Sequence, residues 1–193
     1  MTGNDIIDMA AAAAESNWQR KGFLEKIFTP PEQQYIREAS CPQEMVWRLW
    51  SMKESAYKIY TRQYGGRSFA PLKLHCSLFS RSAGKVEINS TTYYITTCTG
   101  KKYIYSIAKQ DGPGKATFVN YCFRIAETDL DKQQQLIYER MISVYSLVSG
   151  KQKEEIKIIK DRNGIPFLYC SRHEQSIPVS ITHHGNYAAF TID

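Results

Sequence analysis

The sequence lacks any long apolar run. Its longest, Ala10 to Ala14, falls far short of the ~18 to 20 residues that a helix needs to cross a bilayer, so a membrane-spanning helix is excluded. A cationic leader is missing as well. Asp5 and Asp8 precede that run and no basic residue comes before Arg20, which argues against a secretory signal and sets the expectation of a cytoplasmic protein. Cysteine is sparse: Cys41, Cys76, Cys98, Cys122 and Cys170 are scattered, odd in number and never paired across a two-residue gap. Neither a zinc ribbon nor a disulfide framework is expected, and the thiols read as reduced and mostly buried.

What is present suffices for a folded core. With 193 residues, 42% of them hydrophobic and 12% aromatic, the chain fits one domain, or two small halves sharing a core. Disorder and collagen-like structure are excluded. The net charge is +6, a basic balance that favours acidic partners such as an anionic cofactor, nucleic acid or an acidic protein surface. Charge alone does not choose among them.

Local patterns give the organisation. GNDIID at residues 3 to 8 reads as a strand end running into the helix-forming alanines. In FLEKIFTPPEQQYIR, Thr29 and the prolines after it read as an N-cap and helix start. A long helix is expected from Pro42 until Gly65 and Gly66 stop it. From Phe69 to Lys109 β-branched and aromatic alternation between Ser, Gly and Asn turns predicts an antiparallel meander. The DGPG at 111 to 114 is a turn signal, read as a hairpin tip or hinge. A second helix is expected up to Gly150, with Leu136, Ile137, Met141, Val144, Tyr145 and Val148 as its apolar face. Strands then follow, with a hairpin turn at Asn163 and Gly164. The expected class is α+β, a pseudo-dimer of two halves, each a helical part packed on an antiparallel sheet. The expected bounds are 1–109 for the first half, 110–126 for a connecting segment and 127–193 for the second half. No residue-level repeat is visible.

Counting 100° per residue along the long helix, Val46, Leu49, Trp50, Tyr57 and Tyr60 form an apolar face, with Glu54 and Lys58 side by side at its edge. A Glu followed four residues on by Lys is a common surface ion pair, and alone marks no site. Two carboxylates from separate segments, Glu54 and Asp5, would make an oxygen site suited to Mg²⁺ beside a phosphate, with Asp8 as a third candidate. A single Asp near a strand end is more often a cap. His183 and His184 lie in a strand pattern that sends neighbours to opposite faces, so they do not share a metal. One of them can meet a phosphate, against the plainer reading of a strand-end histidine. Asn163, Gly164 and Pro166 taken alone are a tight turn.

Taken in order, GNDIID, FTPPE, LWSMKESAYK, NGIP and SITHHGNYAAF make the chain resemble the 4′-phosphopantetheinyl transferase superfamily. Its Gly-x-Asp element fits Gly3 and Asp5, and its Trp-x-x-Lys-Glu-Ser/Ala-x-x-Lys element fits Trp50, Lys53, Glu54, Ser55 and Lys58. Phe28 to Glu32 looks like its Phe-Ser/Thr-x-x-Glu element, and Ser180 to Gly185 like its Ser-x-Ser-His segment. The motif order is that of the short holo-acyl-carrier-protein synthases, whereas the length is nearer the larger surfactin-synthetase type. Three positions depart: Ile7 stands where the larger enzymes carry a third metal carboxylate, Ile165 replaces a cofactor-binding lysine, and Thr182 replaces a serine while keeping the hydroxyl.

The resemblance implies transfer of phosphopantetheine from coenzyme A to a serine of an apo acyl or peptidyl carrier protein, with release of adenosine 3′,5′-bisphosphate. It implies Mg²⁺ on Asp5 and Glu54, catalytic roles for Glu54 and Lys58, and coenzyme A contacts from Gly164, Pro166, Thr182, His183 and Lys58. Carrier protein and coenzyme A are then the partners, with neither nucleic acid nor membrane, and the chain is expected to be a monomer. Lys53 points toward the apolar face on the helical count, so a structural role is open to it. Arg48, Arg62 and Arg67 flank the motif without an assigned role. Two alternatives are a catalytically silent family member that binds carrier protein and a basic nucleic-acid-binding module drawn from the pI of about 9.0 and the Tyr-rich strands.

Overall fold

The computed structural model describes residues 1–66, 68–110 and 118–193; the DGPG turn and Arg67 lie outside the described residues. Strand β1 (Thr2–Asp8) leads through helices α1 (Met9–Glu15), α2 (Phe23–Ile27), α3 (Pro30–Glu38) and α4 (Pro42–Tyr64) into β2 (Leu74–Leu78), β3 (Ala83–Ile88), β4 (Thr91–Thr99) and β5 (Tyr103–Lys109). Strand β6 (Val119–Arg124) leads through α5 (Leu130–Ser149) into β7 (Ile156–Lys160), β8 (Pro166–Cys170), β9 (Gln175–His184) and β10 (Tyr187–Ile192). Among the described residues no helix is long and apolar enough to cross a membrane.

The fold is α+β, and its two sheets share one topology. In each, the first strand pairs antiparallel with the last and the other strands complete a meander, giving β1-β5-β4-β3-β2 and β6-β10-β9-β8-β7. The helices lie after the first strand in both cases. Part of the 110–126 segment expected as a connector is therefore β6, a strand of the second sheet that corresponds to β1 in the first.

Local chemistry explains the elements that carry the site. Thr29 and Glu32 form a capping box that starts α3, while Pro42 opens α4 and Gly65 closes it. The stripe of α4 buried against the first sheet runs through Val46, Leu49, Met52, Lys53, Ala56 and Ile59. Trp50, Tyr57 and Tyr60, expected on that face, are only half-buried at its rim, where Trp50 and Tyr57 stack edge-on against Phe69. The rotation has a cause at Gly3. A Cβ there would stand 2.2 Å from the Ser55 carbonyl oxygen and 2.9 Å from Ile59 Cγ1, so only glycine lets α4 and β1 touch along this line.

On α5, Ile137 and Met141 are buried, but Leu136 and Val148 are exposed. The core face is narrower than the expected apolar set. Cys76 and Cys170 are buried, whereas Cys41 and Cys98 are exposed, and all five thiols are free.

Strand β1 is an edge strand of its sheet, and such an edge exposes a row of backbone donors and acceptors. Here side chains close it. The N–H groups of Thr2, Asn4, Ile6 and Asp8 donate to Asp193 Oδ2 (3.0 Å), Ser180 Oγ (3.1 Å), Thr182 Oγ1 (3.2 Å) and His184 Nδ1 (2.9 Å). The carbonyls of Thr2 and Asn4 accept from Arg62 Nη1 (3.0 Å) and Lys58 Nζ (2.7 Å). Alternate residues of β9 thus zip the second sheet onto the first, and Ile6, Tyr105 and Ala189 form a small apolar cluster across the join.

Candidate active site

The junction of β1, α4 and β9 gathers the charged residues. Asp5 is 8% exposed. Its Oδ1 accepts from Thr182 Oγ1 at 3.1 Å and pairs with Lys58 Nζ at 3.4 Å. Its Oδ2 is buried and has no hydrogen-bond partner among the described residues, a state that carries a desolvation cost. Burial pushes the Asp5 carboxyl above its ordinary range, against the opposing pull of Lys58 and Thr182.

Glu54 stands close enough to Asp5 for the two charges to repel. Its carboxyl is pushed up to about 7, first by burial and then by Asp5, with Lys58 pulling the other way. Lys58 does not form the expected helix-surface pair with Glu54; its ammonium reaches across to β1 and holds Asp5 and the Asn4 carbonyl. Two carboxylates facing one lysine, with a spare buried oxygen, form a donor set that fits a hard divalent cation such as Mg²⁺. Among the described residues no third acidic, histidine or cysteine side chain completes a cluster of three.

The second sheet contributes Thr182 and His183. Thr182 is 6% exposed, and its hydroxyl both accepts from the Ile6 N–H and donates to Asp5. That spends its single proton inside the protein. His183 is exposed on the opposite side of β9, and its imidazole is held below the ordinary value by partial burial, then by Lys58 and His184. His184 instead points to β1 and accepts from Asp8 N–H.

Other expected residues lie elsewhere. Gly164, with φ +74°, turns the β7–β8 hairpin, where its N–H donates to the Asp161 carbonyl at 2.9 Å. Pro166 starts β8, paired with Lys160. Because Phe167 pairs with Pro178, the hairpin tip extends toward the Thr182 end of β9 without joining the Asp5 cluster. Asp8 is engaged elsewhere. It is the N-cap of α1, accepting from Ala10 and Ala11, and its Oδ2 accepts from Asn186 N–H at 2.9 Å. Burial alone would raise its carboxyl, but these donors hold it low.

The lysine of the helix motif is structural. Lys53 Nζ and Glu32 Oε2 form a fully buried pair at 2.7 Å. The ammonium also donates to the Ile27 and Pro71 carbonyls, and Glu32 accepts from Thr29 and Cys76 N–H groups. Two stretches that the sequence carries 21 positions apart are thus one buried network behind the site. Arg62 and Ser180, which the sequence places near the motifs without a role, both close the β1 edge next to Asp5, and only the tertiary pairing reveals that role.

A family model described as the 4′-phosphopantetheinyl transferase superfamily matches residues 1–126. The chain belongs to that superfamily. The match takes in Asp5, Glu54 and Lys58 and ends just past β6. Among solved structures, holo-(acyl-carrier-protein) synthase of Helicobacter pylori in complex with coenzyme A is similar over 100% of this chain and 97% of that one, at 13% identity and a TM-score of 0.28. No curated protein matches the chain.

Proposed function

We propose that the protein is a 4′-phosphopantetheinyl transferase acting on coenzyme A and the serine of an apo acyl or peptidyl carrier protein. The observation that carries this reading is the meeting of Asp5, with its unpartnered Oδ2, and Glu54 beside Lys58, in a superfamily member. The chemistry forms a bond from the serine oxygen to the phosphorus of the pantetheine arm and breaks a bond of the pyrophosphate. Adenosine 3′,5′-bisphosphate leaves. Mg²⁺, held by Asp5 and Glu54, would neutralise phosphoryl oxygens during this transfer.

Glu54 is suited to take the serine proton, directly or through a water. Lys58 has one N–H left after its bonds to Asn4 and Asp5, and can donate it to the departing phosphate. Thr182 keeps Asp5 oriented, so its role is positioning rather than a phosphate contact. His183, exposed and within the field of Lys58, offers its imidazole as a hydrogen-bonding partner for a phosphate. Gly164 and Pro166 shape the hairpin that would border the nucleotide. Because one chain supplies residues from both sheets, we read the working unit as a monomer.

The test incubates the protein with coenzyme A, Mg²⁺ and several apo carrier proteins and looks by intact mass for the added arm. Transfer that disappears in Asp5→Asn and Glu54→Gln supports the reading. Carrier binding without transfer by the unaltered protein would support the silent-member alternative instead.

A further inference from the structure

Among the described residues Lys53 and Arg48 are buried and Arg62 is half-buried; Lys53 has a carboxylate in contact, whereas the two arginines have theirs only at longer range. Lys53 has Glu32 at 2.7 Å, and Arg62, which donates to the Thr2 and Val179 carbonyls, lies in the field of Asp193. Arg48 is 5% exposed. Its Nη2 donates to the Ser80 carbonyl at 2.6 Å and reaches the Ala83 carbonyl at 3.4 Å. Its Nε has no partner, and no carboxylate comes within salt-bridge distance among the described residues. The charges nearest to it are Glu44, at longer range, and a second cation, Arg81, whose proximity works against it. The buried guanidinium is hydrogen-bonded only to carbonyls, its Nε is left over, and Glu44 offsets its charge only at longer range, so there is room for a closer counter-ion.

Arg48 and Arg81 both line a cavity of about 530 Å³ between the end of α3, the start of α4 and the β2–β3 turn. Tyr35, Met45 and Leu78 supply an apolar wall, and Glu44 stands among the lining residues. The size is that of a small-molecule site rather than a crevice between side chains. Its place on α4 is set apart from the Asp5 cluster: Arg48 precedes Glu54 on the helix and turns to the β2–β3 side, whereas Glu54 and Lys58 face β1.

We propose that this cavity is a binding site for a small organic carboxylate bearing an apolar body. The carboxylate neutralises Arg48 and Arg81, and the body lies against Tyr35, Met45 and Leu78. Planar guanidinium groups match a carboxylate well. Inorganic phosphate would satisfy the arginines but leave the apolar wall uncovered, and a cationic amphiphile would cover the wall while adding to the repulsion.

Isothermal titration calorimetry on the full chain tests this, with sodium octanoate as the probe and inorganic phosphate and octyltrimethylammonium as comparisons. Saturable one-site binding of octanoate is expected, with neither comparison binding in the same range. Arg48→Met and Arg81→Ala should each weaken octanoate at least tenfold with far-UV circular dichroism unchanged. Arg81 is exposed, so its variant keeps the test open if Arg48→Met does not fold. Asp5→Asn should leave octanoate binding as it was, which separates this cavity from the transferase site. Absence of saturable octanoate binding, equal binding by Arg81→Ala, or phosphate binding as tightly as octanoate would overturn the proposal.

Discussion

Removing the charge of Glu54 should change how stability depends on pH. The folded protein raises this carboxyl from 4.5 to about 7, so between those values the native state holds a proton that the unfolded chain has released. Below about pH 4.5 both states are protonated and no cost applies. Stability is lost as pH rises through the window, and above about 7 the full cost of holding the anion is present. At 1.36 kcal/mol per pH unit the rise amounts to roughly 3 kcal/mol, an upper figure because water reaches part of the half-buried carboxylate. For a chain of this length that is ~6 to 12 °C in Tm. Thermal melts in EDTA should therefore fall between pH 5 and 8 for the unaltered protein, and fall much less for Glu54→Gln, which also relieves Asp5 of a neighbouring charge. Adding Mg²⁺ at pH 7.5 should restore Tm in the unaltered protein and not in the variant. Parallel pH profiles for the two proteins in EDTA would refute the reasoning.

Three further outcomes follow from the geometry. Lys53→Met leaves the Glu32 carboxylate buried without a cation and should cost about 3 to 5 kcal/mol in urea denaturation, most of it recovered in the double variant with Glu32→Leu. Gly3→Ala drives a Cβ into the Ser55 carbonyl, a backbone atom that cannot swing aside; a loss of about 3 kcal/mol is expected by the same assay, with transfer falling further than stability because α4 carries Glu54 and Lys58. Asp8→Ala removes the cap of α1 and the Asn186 contact, so it should lower stability by roughly 1 to 2 kcal/mol. If Asp8 is only a cap, the apparent affinity for Mg²⁺ in a transfer assay stays as it was; a large drop would return it to the metal site.

Much of the fold could be read from local signals. Thr29, Pro42, Gly65 and Gly150 mark helix ends because capping is decided within a turn of chain. The inward direction of Lys53 follows from helix geometry, but its partner does not: Glu32 meets it only after α3 folds back on α4. The burial of α4 was misread by about one residue of rotation, since aromatic side chains weigh heavily in a periodicity count while the contact line is set by the missing side chain at Gly3. Leu136 lies a quarter-turn or more off the arc of Ile137 and Met141 and faces water, while Val148 lies on that arc but in the last turn of α5 and is exposed there. Asp5 and Glu54 were legible as a pair only through motif order. The bonds of Thr182 to Ile6 and Asp5 on β1 were not, because hydrogen-bond partners across the sheet junction have no sequence signature.

The shared topology explains why a single site follows from two similar halves. On β1 the residues that face α4 are Gly3, Asp5 and Ile7, whereas on β6 those that face α5 are Tyr121 and Phe123. Bulky rings in place of the glycine and the acid leave α5 no such close approach and put no carboxylate under it. Asn120 instead accepts the hydroxyl of Tyr105, at 2.7 Å, and Tyr105 accepts from Asn4 in turn. The second half thus lends the other face of β6 to the first as a brace. It is this brace, with Ser180, Thr182 and His184 on the far edge of β1, that lets the strand bear a buried carboxylate with a free oxygen: the cost of desolvating Asp5 is met by contacts that fix β1 between both sheets.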